Sequence, residues 1–246
     1  MFAKYFIDMT FSRQPFVLIF LIICLLSIHS STNAQTDQSL GNYNTLIIKG
    51  KISPRFSLFS EDQLRATDYN LKYDYFEVKG GIFYSITPKL NLLFGTGLYN
   101  IYQPGGFFKT PAVQKEFRTW FELNFKQLYN RLNFEHRVRI EQRFIPENYK
   151  NRLRYRFGIL VPVNKSKLVQ GSLYIAVNDE LWIPQYGLFL EMNRFFAGAG
   201  YKLNQNTTFQ IGCISDTKYK PNSHYVKNYL QLMLIYDFTN SVIKHS

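Results

Sequence analysis

Cysteine is scarce: 2 residues in 246, Cys24 and Cys213. Cys24 lies in an apolar run near the start, so the processed chain inferred below keeps Cys213 alone and has no internal disulfide. No stretch carries a helical period of any length. After residue 28, no apolar run approaches the ~20 residues that a membrane-spanning helix needs. Disulfide-stapled folds, helix bundles and helical membrane proteins are thereby excluded. Metal-ligand spacings, a nucleotide loop and catalytic motifs are missing too, so neither a cofactor nor a metal is expected.

The start of the chain reads as an export signal. Lys4 and Arg13 precede the apolar run 16–28, which is shorter than the ~20 residues of a spanning helix. Thr32-Asn33-Ala34 then offers small residues at a cleavage site, and cleavage is expected after Ala34. Cys24 follows Ile23, where a lipidation signal wants a small residue, so it is an apolar residue of the leader. Residues 1–34 are expected to be a removed signal peptide. Residues 35–246 form one domain, with a short polar tail from about 239. The formal net charge is +12. For an exported chain this suits lipid phosphates, an anionic solute or a solvated surface, and no nucleic-acid partner is expected.

Aromatics are plentiful, 17% of the chain with 23 Phe and 18 Tyr. Two adjacent segments show how they are used. Between 116 and 127, Phe117, Phe121, Leu123 and Phe125 alternate with Glu116, Arg118, Glu122, Asn124 and Lys126. After a turn at Tyr129-Asn130, Phe134, Val138, Ile140 and Phe144 alternate with Glu135, Arg137, Arg139, Glu141 and Arg143. A period of two means strands with one apolar and one charged face. Further on, Arg152, Arg154 and Arg156 share a face, followed by Asn178, Glu180, Asn193 and Arg194 on later strands. In a membrane barrel the apolar face meets lipid and the charged face lines the lumen.

Strands are predicted at 44–59 (with a bend or bulge at Ser53-Pro54), 71–86, 90–102, 113–128, 131–145, 151–163, 168–182, 188–203, 207–215 and 226–238. Residues 35–42 read as loose. The segments 60–70, 103–112 and 216–225 read as loops. The expectation is an all-β fold: a single antiparallel transmembrane β-barrel of about ten strands, eight to twelve being compatible. Loops after even strands are short and those after odd strands longer, which places both chain ends on the periplasmic side. Tyr236-Asp237-Phe238 supplies the terminal aromatic of a closing strand, of the kind the barrel-assembly machinery receives.

From Phe117 onward the sequence resembles the outer-membrane family called domain of unknown function 2490, common in Bacteroidetes. The likeness is carried by His136-Arg137-Val138-Arg139-Ile140-Glu141-Gln142-Arg143-Phe144 and Arg152-Leu153-Arg154-Tyr155-Arg156. It continues in the strand holding Asn178, Asp179, Glu180, Leu181 and Trp182 and the strand holding Glu191, Met192, Asn193, Arg194 and Phe195. The resemblance implies a barrel in the outer membrane of a Gram-negative cell and brings no activity with it.

Candidate sites follow from the charged face. Glu116, Arg118, Glu122, Glu135, Arg137, Arg139, Glu141, Arg143, Arg152, Arg154, Arg156, Asn178, Glu180, Asn193 and Arg194 are expected to line a narrow lumen. There the charges neutralise one another in a packed network or leave a path or pocket for an anionic solute. An enzyme acting on lipid or peptide at the outer rim is the second class. Its candidate is His224, beside Ser223 and near Asp216 in an expected outer loop. His136 falls on the apolar face, and His245 lies in the tail. An interaction protein is a third class, with Phe107 and Phe108 in the loop 103–112. A soluble lipocalin-like binder of a lipophilic ligand is the structural rival. It requires the charged face outside and the apolar face inside.

Overall fold

The computed structural model describes residues 34–69, 72–109 and 111–239. Eleven strands run through them: β1 (Ala34–Lys51), β2 (Phe56–Ala66), β3 (Tyr75–Ser85), β4 (Leu90–Ile101), β5 (Gln114–Tyr129), β6 (Leu132–Ile145), β7 (Asn148–Pro162), β8 (Leu173–Pro184), β9 (Met192–Lys202), β10 (Thr207–Lys220) and β11 (Ser223–Asp237). They form one closed barrel in which each strand pairs with its chain neighbours and β1 meets β11. Among the described residues no helix is long and apolar enough to cross a membrane, which says nothing about crossing by strands.

The all-β barrel read from the sequence is observed, with eleven strands, inside the range of eight to twelve. The extra strand comes from the predicted first strand, which divides at Pro54. Ile52 and Ser53 both donate backbone N–H groups to the Phe56 carbonyl, and Phe56 N–H returns a bond to Ser53 Oγ at 3.0 Å. Proline has no N–H for a ladder, so the chain turns back there. The segment 35–42, expected loose, is the first half of β1. The segment 60–70, expected as a loop, is mostly β2.

The odd strand number sets the closure. Consecutive strands are antiparallel throughout, so β1 and β11 point the same way. Early residues meet at one rim, where Lys227 Nζ donates to the Ser39 carbonyl at 2.9 Å. Late residues meet at the other, where Phe238 N–H donates to the Lys49 carbonyl at 2.8 Å and Lys51 N–H to Thr239 Oγ1 at 3.0 Å. The seam is therefore parallel, a correction to the wholly antiparallel barrel. The start of β1 and the end of β11 lie at opposite rims, which corrects the expectation that both ends share a side.

The alternation of loop lengths holds in part. The longer connections 67–74, 102–113 and 185–191 share one rim. The tight turns at 52–55, 86–89, 130–131 and 203–206 share the other. The connection 163–172 is a longer loop on the tight-turn rim. The expected loop 216–225 is instead a hairpin turning at Pro221-Asn222, since β10 and β11 stay paired to Lys220↔Ser223.

Period-two alternation sets the two faces of the wall. Outside stand Phe94, Leu98, Phe117, Phe121, Ile140, Leu153, Ile175, Phe195 and Phe209, with Phe121 53% exposed and Ile140 52% exposed. Inside, large rings fill space that small residues leave. A Cβ on Gly95 would overlap the indole of Trp120, and one on Gly200 would overlap the ring of Tyr174. Tyr43, Tyr174, Ala176, Phe196 and Ile214 form an apolar cluster on one inner wall.

Candidate functional site

The inner wall of β5 to β8 carries the predicted charges, and register brings them together. Arg139 lies opposite Glu122 on β5 and Arg154 on β7; Glu141 lies opposite Trp120 and Arg152; Arg156 lies opposite Arg137 and Glu180. Glu141, fully buried at 0% exposure, is the hub. Its Oε2 accepts from Arg152 Nη2 at 2.5 Å, and its Oε1 accepts from Arg154 Nη1 at 2.7 Å and Arg139 Nη1 at 3.4 Å. Glu180 accepts a two-pronged contact from Arg154, Nε at 3.0 Å and Nη2 at 2.8 Å, and a further bond from Arg137. Glu122 accepts from Arg139 Nε at 2.6 Å and has Arg137 Nε at 3.8 Å.

The belt continues toward the rim of the longer loops. Glu116 accepts from Arg118 Nε at 2.7 Å and Arg143 Nε at 2.6 Å. Glu191, in the loop after β8, bridges Arg143 and Arg152, each at 3.3 Å. Aromatic faces cover the guanidinium planes. Arg118 lies 3.7 Å from the Tyr99 ring centre, and Arg152 and Arg154 lie 4.1 and 4.2 Å from that of Trp182. Each buried guanidinium of this belt thus has a carboxylate partner, and several have a ring as well, the arrangement burial demands.

The predicted lumen set is brought together apart from two groups. Glu135 sits lower on β6 and pairs with Lys126 at 3.0 Å. Asn193 is not in the lumen. It donates to Asp179 at 2.8 Å on the outer face, because its neighbour Arg194 points inward and alternation sends Asn193 outward. Arg194 itself grips Asp216 with two bonds, at 2.6 and 2.7 Å. Arg156 and Asn178 line the cavity.

Sequence reasoning missed a second ion-pair group. Arg65 bonds Glu77 at 3.0 Å, and Lys79 bonds Glu61 at 2.7 Å and Glu77 at 2.5 Å, with Arg65 sandwiched between the rings of Tyr43 and Tyr75 at 4.2 and 4.1 Å. In β3 the signal was present, since Tyr75, Glu77 and Lys79 alternate with Phe76 and Val78; in β2 it was hidden, since Glu61, Gln63 and Arg65 are interleaved with the polar Ser60 and Asp62. Between the side chains remains a cavity of about 1200 Å³ whose lining reaches both rims, from Gln103 and Lys220 to Lys126 and Asp237. Cationic side chains outnumber carboxylates along it.

The other candidates resolve as follows. His224 lies in β11 rather than in a loop, paired with Tyr219, and Asp216 is held by Arg194 inside the barrel. The two are not brought together. His136 faces outward, with Nδ1 2.9 Å from the Tyr155 hydroxyl, among Phe125 and Phe157. Phe107 and Phe108 pack with Tyr73 and Tyr102 at the long-loop rim, both in the left-handed region at φ 48° and 60°. Cys213 is on the outer face and exposed. The inside-out arrangement of a lipocalin-like binder is contradicted, since charges lie inside and apolar side chains outside.

No curated protein and no solved structure matches the chain. The model of the family described as "Protein of unknown function (DUF2490)" matches residues 40–227. That span covers every strand of the charged inner wall, and the chain belongs to this DUF2490 family.

Proposed function

We propose that this protein is a non-enzymatic barrel of the outer membrane, whose ion-paired interior is a narrow, weakly anion-preferring passage. One observation carries the reading: a single closed sheet turns its apolar face outward and its charged face inward. A barrel in water buries its apolar face. A barrel in lipid exposes it and keeps a polar lumen. The leader-like start, Lys4 to Ala34, supports export to that compartment. Four tight turns share one rim, along with the longer connection 163–172, and three longer loops share the other, which favours the rim of the four tight turns as periplasmic. Outer-membrane lipid and, during biogenesis, the barrel-assembly machinery are the partners this reading implies, with Phe238 as the closing aromatic.

The belt of ion pairs limits what passes. Its excess of arginine leaves the inner field positive, which favours small anions over cations. In planar bilayers under a potassium chloride gradient, the full-length processed chain is expected to give a small conductance with a reversal potential on the chloride side. A barrel that inserts but does not conduct, or one that prefers potassium, would overturn the passage.

A further inference from the structure

Arg156 makes no direct ion pair in the belt, although Glu122, Glu135 and Glu180 act on it at longer range. Its rung holds Arg137 on β6 and Glu180 on β8. Glu180 is already taken by two bonds from Arg154 and one from Arg137. Arg137 is shared between Glu180 and, more distantly, Glu122. Among the described residues, no carboxylate oxygen lies within ion-pair distance of Arg156. The next rung toward the tight-turn rim holds Glu135, Gly158 and Asn178. Gly158, which lines the cavity together with Arg156, adds no side chain to this rung. The atoms nearest to a Cβ built there are the Cβ of Asn178 at 3.3 Å, the Val177 carbonyl oxygen at 3.7 Å and the Cβ of Glu135 at 3.9 Å, none of them closer than a tight van der Waals contact. Asn178 lines the same hollow, and its amide is committed to no other side chain among the described residues. Glu135 pairs with the partly exposed Lys126 at 3.0 Å and keeps its negative charge beside the hollow.

We propose that this hollow binds a small oxyanion, a carboxylate or phosphate group, on the guanidinium of Arg156 with the Asn178 amide as second donor. The inference rests on the anion-preferring reading of the lumen and gives it a site. Two guanidinium groups facing each other across adjacent strands repel, and a low-dielectric wall strengthens the repulsion. An anion between Arg156 and the cavity relieves it. The planar fork of arginine offers paired N–H donors that match the oxygens of a carboxylate or phosphate, which chloride does not reproduce. Asn178 adds a neutral donor across from the space left by Gly158. Glu135 on the same rung disfavours multiply charged ligands, so a singly charged group fits best. Entry is from the tight-turn rim, where Lys126 and Lys49 line the cavity.

The test uses the full-length processed chain folded in detergent, followed by the temperature at which the compact band is lost on a gel. At matched ionic strength, inorganic phosphate or acetate is expected to raise that temperature relative to chloride. Arg156→Gln should abolish the rise while being at least as heat-stable as the parent in chloride, because the parent's repulsion with Arg137 is gone. Asn178→Ala should shrink the rise. Lys218→Gln, which removes the same charge at the opposite mouth, should keep it. Equal stability of the parent in all three anions would overturn the proposal, as would a rise that survives in Arg156→Gln. An Arg156→Gln chain that is less stable in chloride or does not fold would show Arg156 to be a brace, and would also overturn it. Chloride-over-potassium selectivity in bilayers, measured on the same preparations, separates the two readings. If selectivity is present without the oxyanion effect, the site fails and the passage stands. If the chain is stabilised by oxyanions but does not conduct, the passage fails and the site stands.

Discussion

At the scale of single residues, the account turns on which interior charges are committed. Glu141 is enclosed by three guanidinium groups, from Arg139, Arg152 and Arg154. Removing its charge leaves them without their shared counter-ion, and breaking a buried pair from one side costs about 3–5 kcal/mol. Glu141→Gln is therefore expected to unfold at markedly lower urea concentration than the parent, read as loss of the compact gel band. Exposed outer-face changes such as Cys213→Ala should leave that midpoint within a few tenths of a molar. Neutralising Arg137, Arg139 or Arg154 singly should change conductance or stability, and indifference of all three would contradict the belt. Much of this was legible from sequence. The alternation around Asn130 placed Glu116, Arg118, Glu122 and the β6 arginines on one face, a separate alternation over 151–163 did the same for Arg152, Arg154 and Arg156, and the register sets these rows opposite one another. Asn193 went wrong because it adjoins Arg194, and two consecutive strand residues cannot share a face. Trp120 and Trp182 share parity with the charged rows. They were passed over because a large ring among charges reads as an interruption rather than as the surface on which arginines stack.

At the scale of elements, β1 and β2 were the least legible and the seam they create is the least ordinary feature. β2 reads Ser60, Glu61, Asp62, Gln63, polar on both faces, so the alternation that marks a strand is absent even though the ladder to β1 and β3 is continuous. Its inward residues Glu61 and Arg65 were lost with it. The extra strand leaves β1 parallel to β11, and parallel pairing is slightly weaker per residue. Lys227, 1% exposed, spans the seam to both the carbonyl and the hydroxyl of Ser39. Lys227→Met removes those bonds from a buried site at about 1–3 kcal/mol. Limited proteolysis of the folded barrel is expected to clip β1 near its start faster in this variant, with β5 to β8 resistant in both. Clipping that begins in β6 or β7 would contradict the seam as the weaker edge. Small residues opposite large rings set a second constraint. Gly95→Val is expected to prevent accumulation of the compact band, since Trp120 occupies the space and neither strand can move without breaking its ladder.

At the scale of the whole molecule, the barrel is a wall with lipid-like chemistry outside and a braced electrolyte inside. The period-two code contained that distinction, but a strand's two faces carry no label for inside and outside. Only closure of the sheet showed which face is enclosed. The cavity volume, the place of Arg156 between Arg137 and Glu180 and the parallel seam depend on register and strand count, which period alone does not fix. The most direct measurement is fractionation of cells expressing the full-length chain, followed by gel electrophoresis of each fraction with and without heating. The account expects recovery in the outer membrane and a compact band in the unheated sample that shifts on boiling. Recovery as a soluble periplasmic protein with no heat-dependent shift would contradict a barrel that faces lipid with its apolar side.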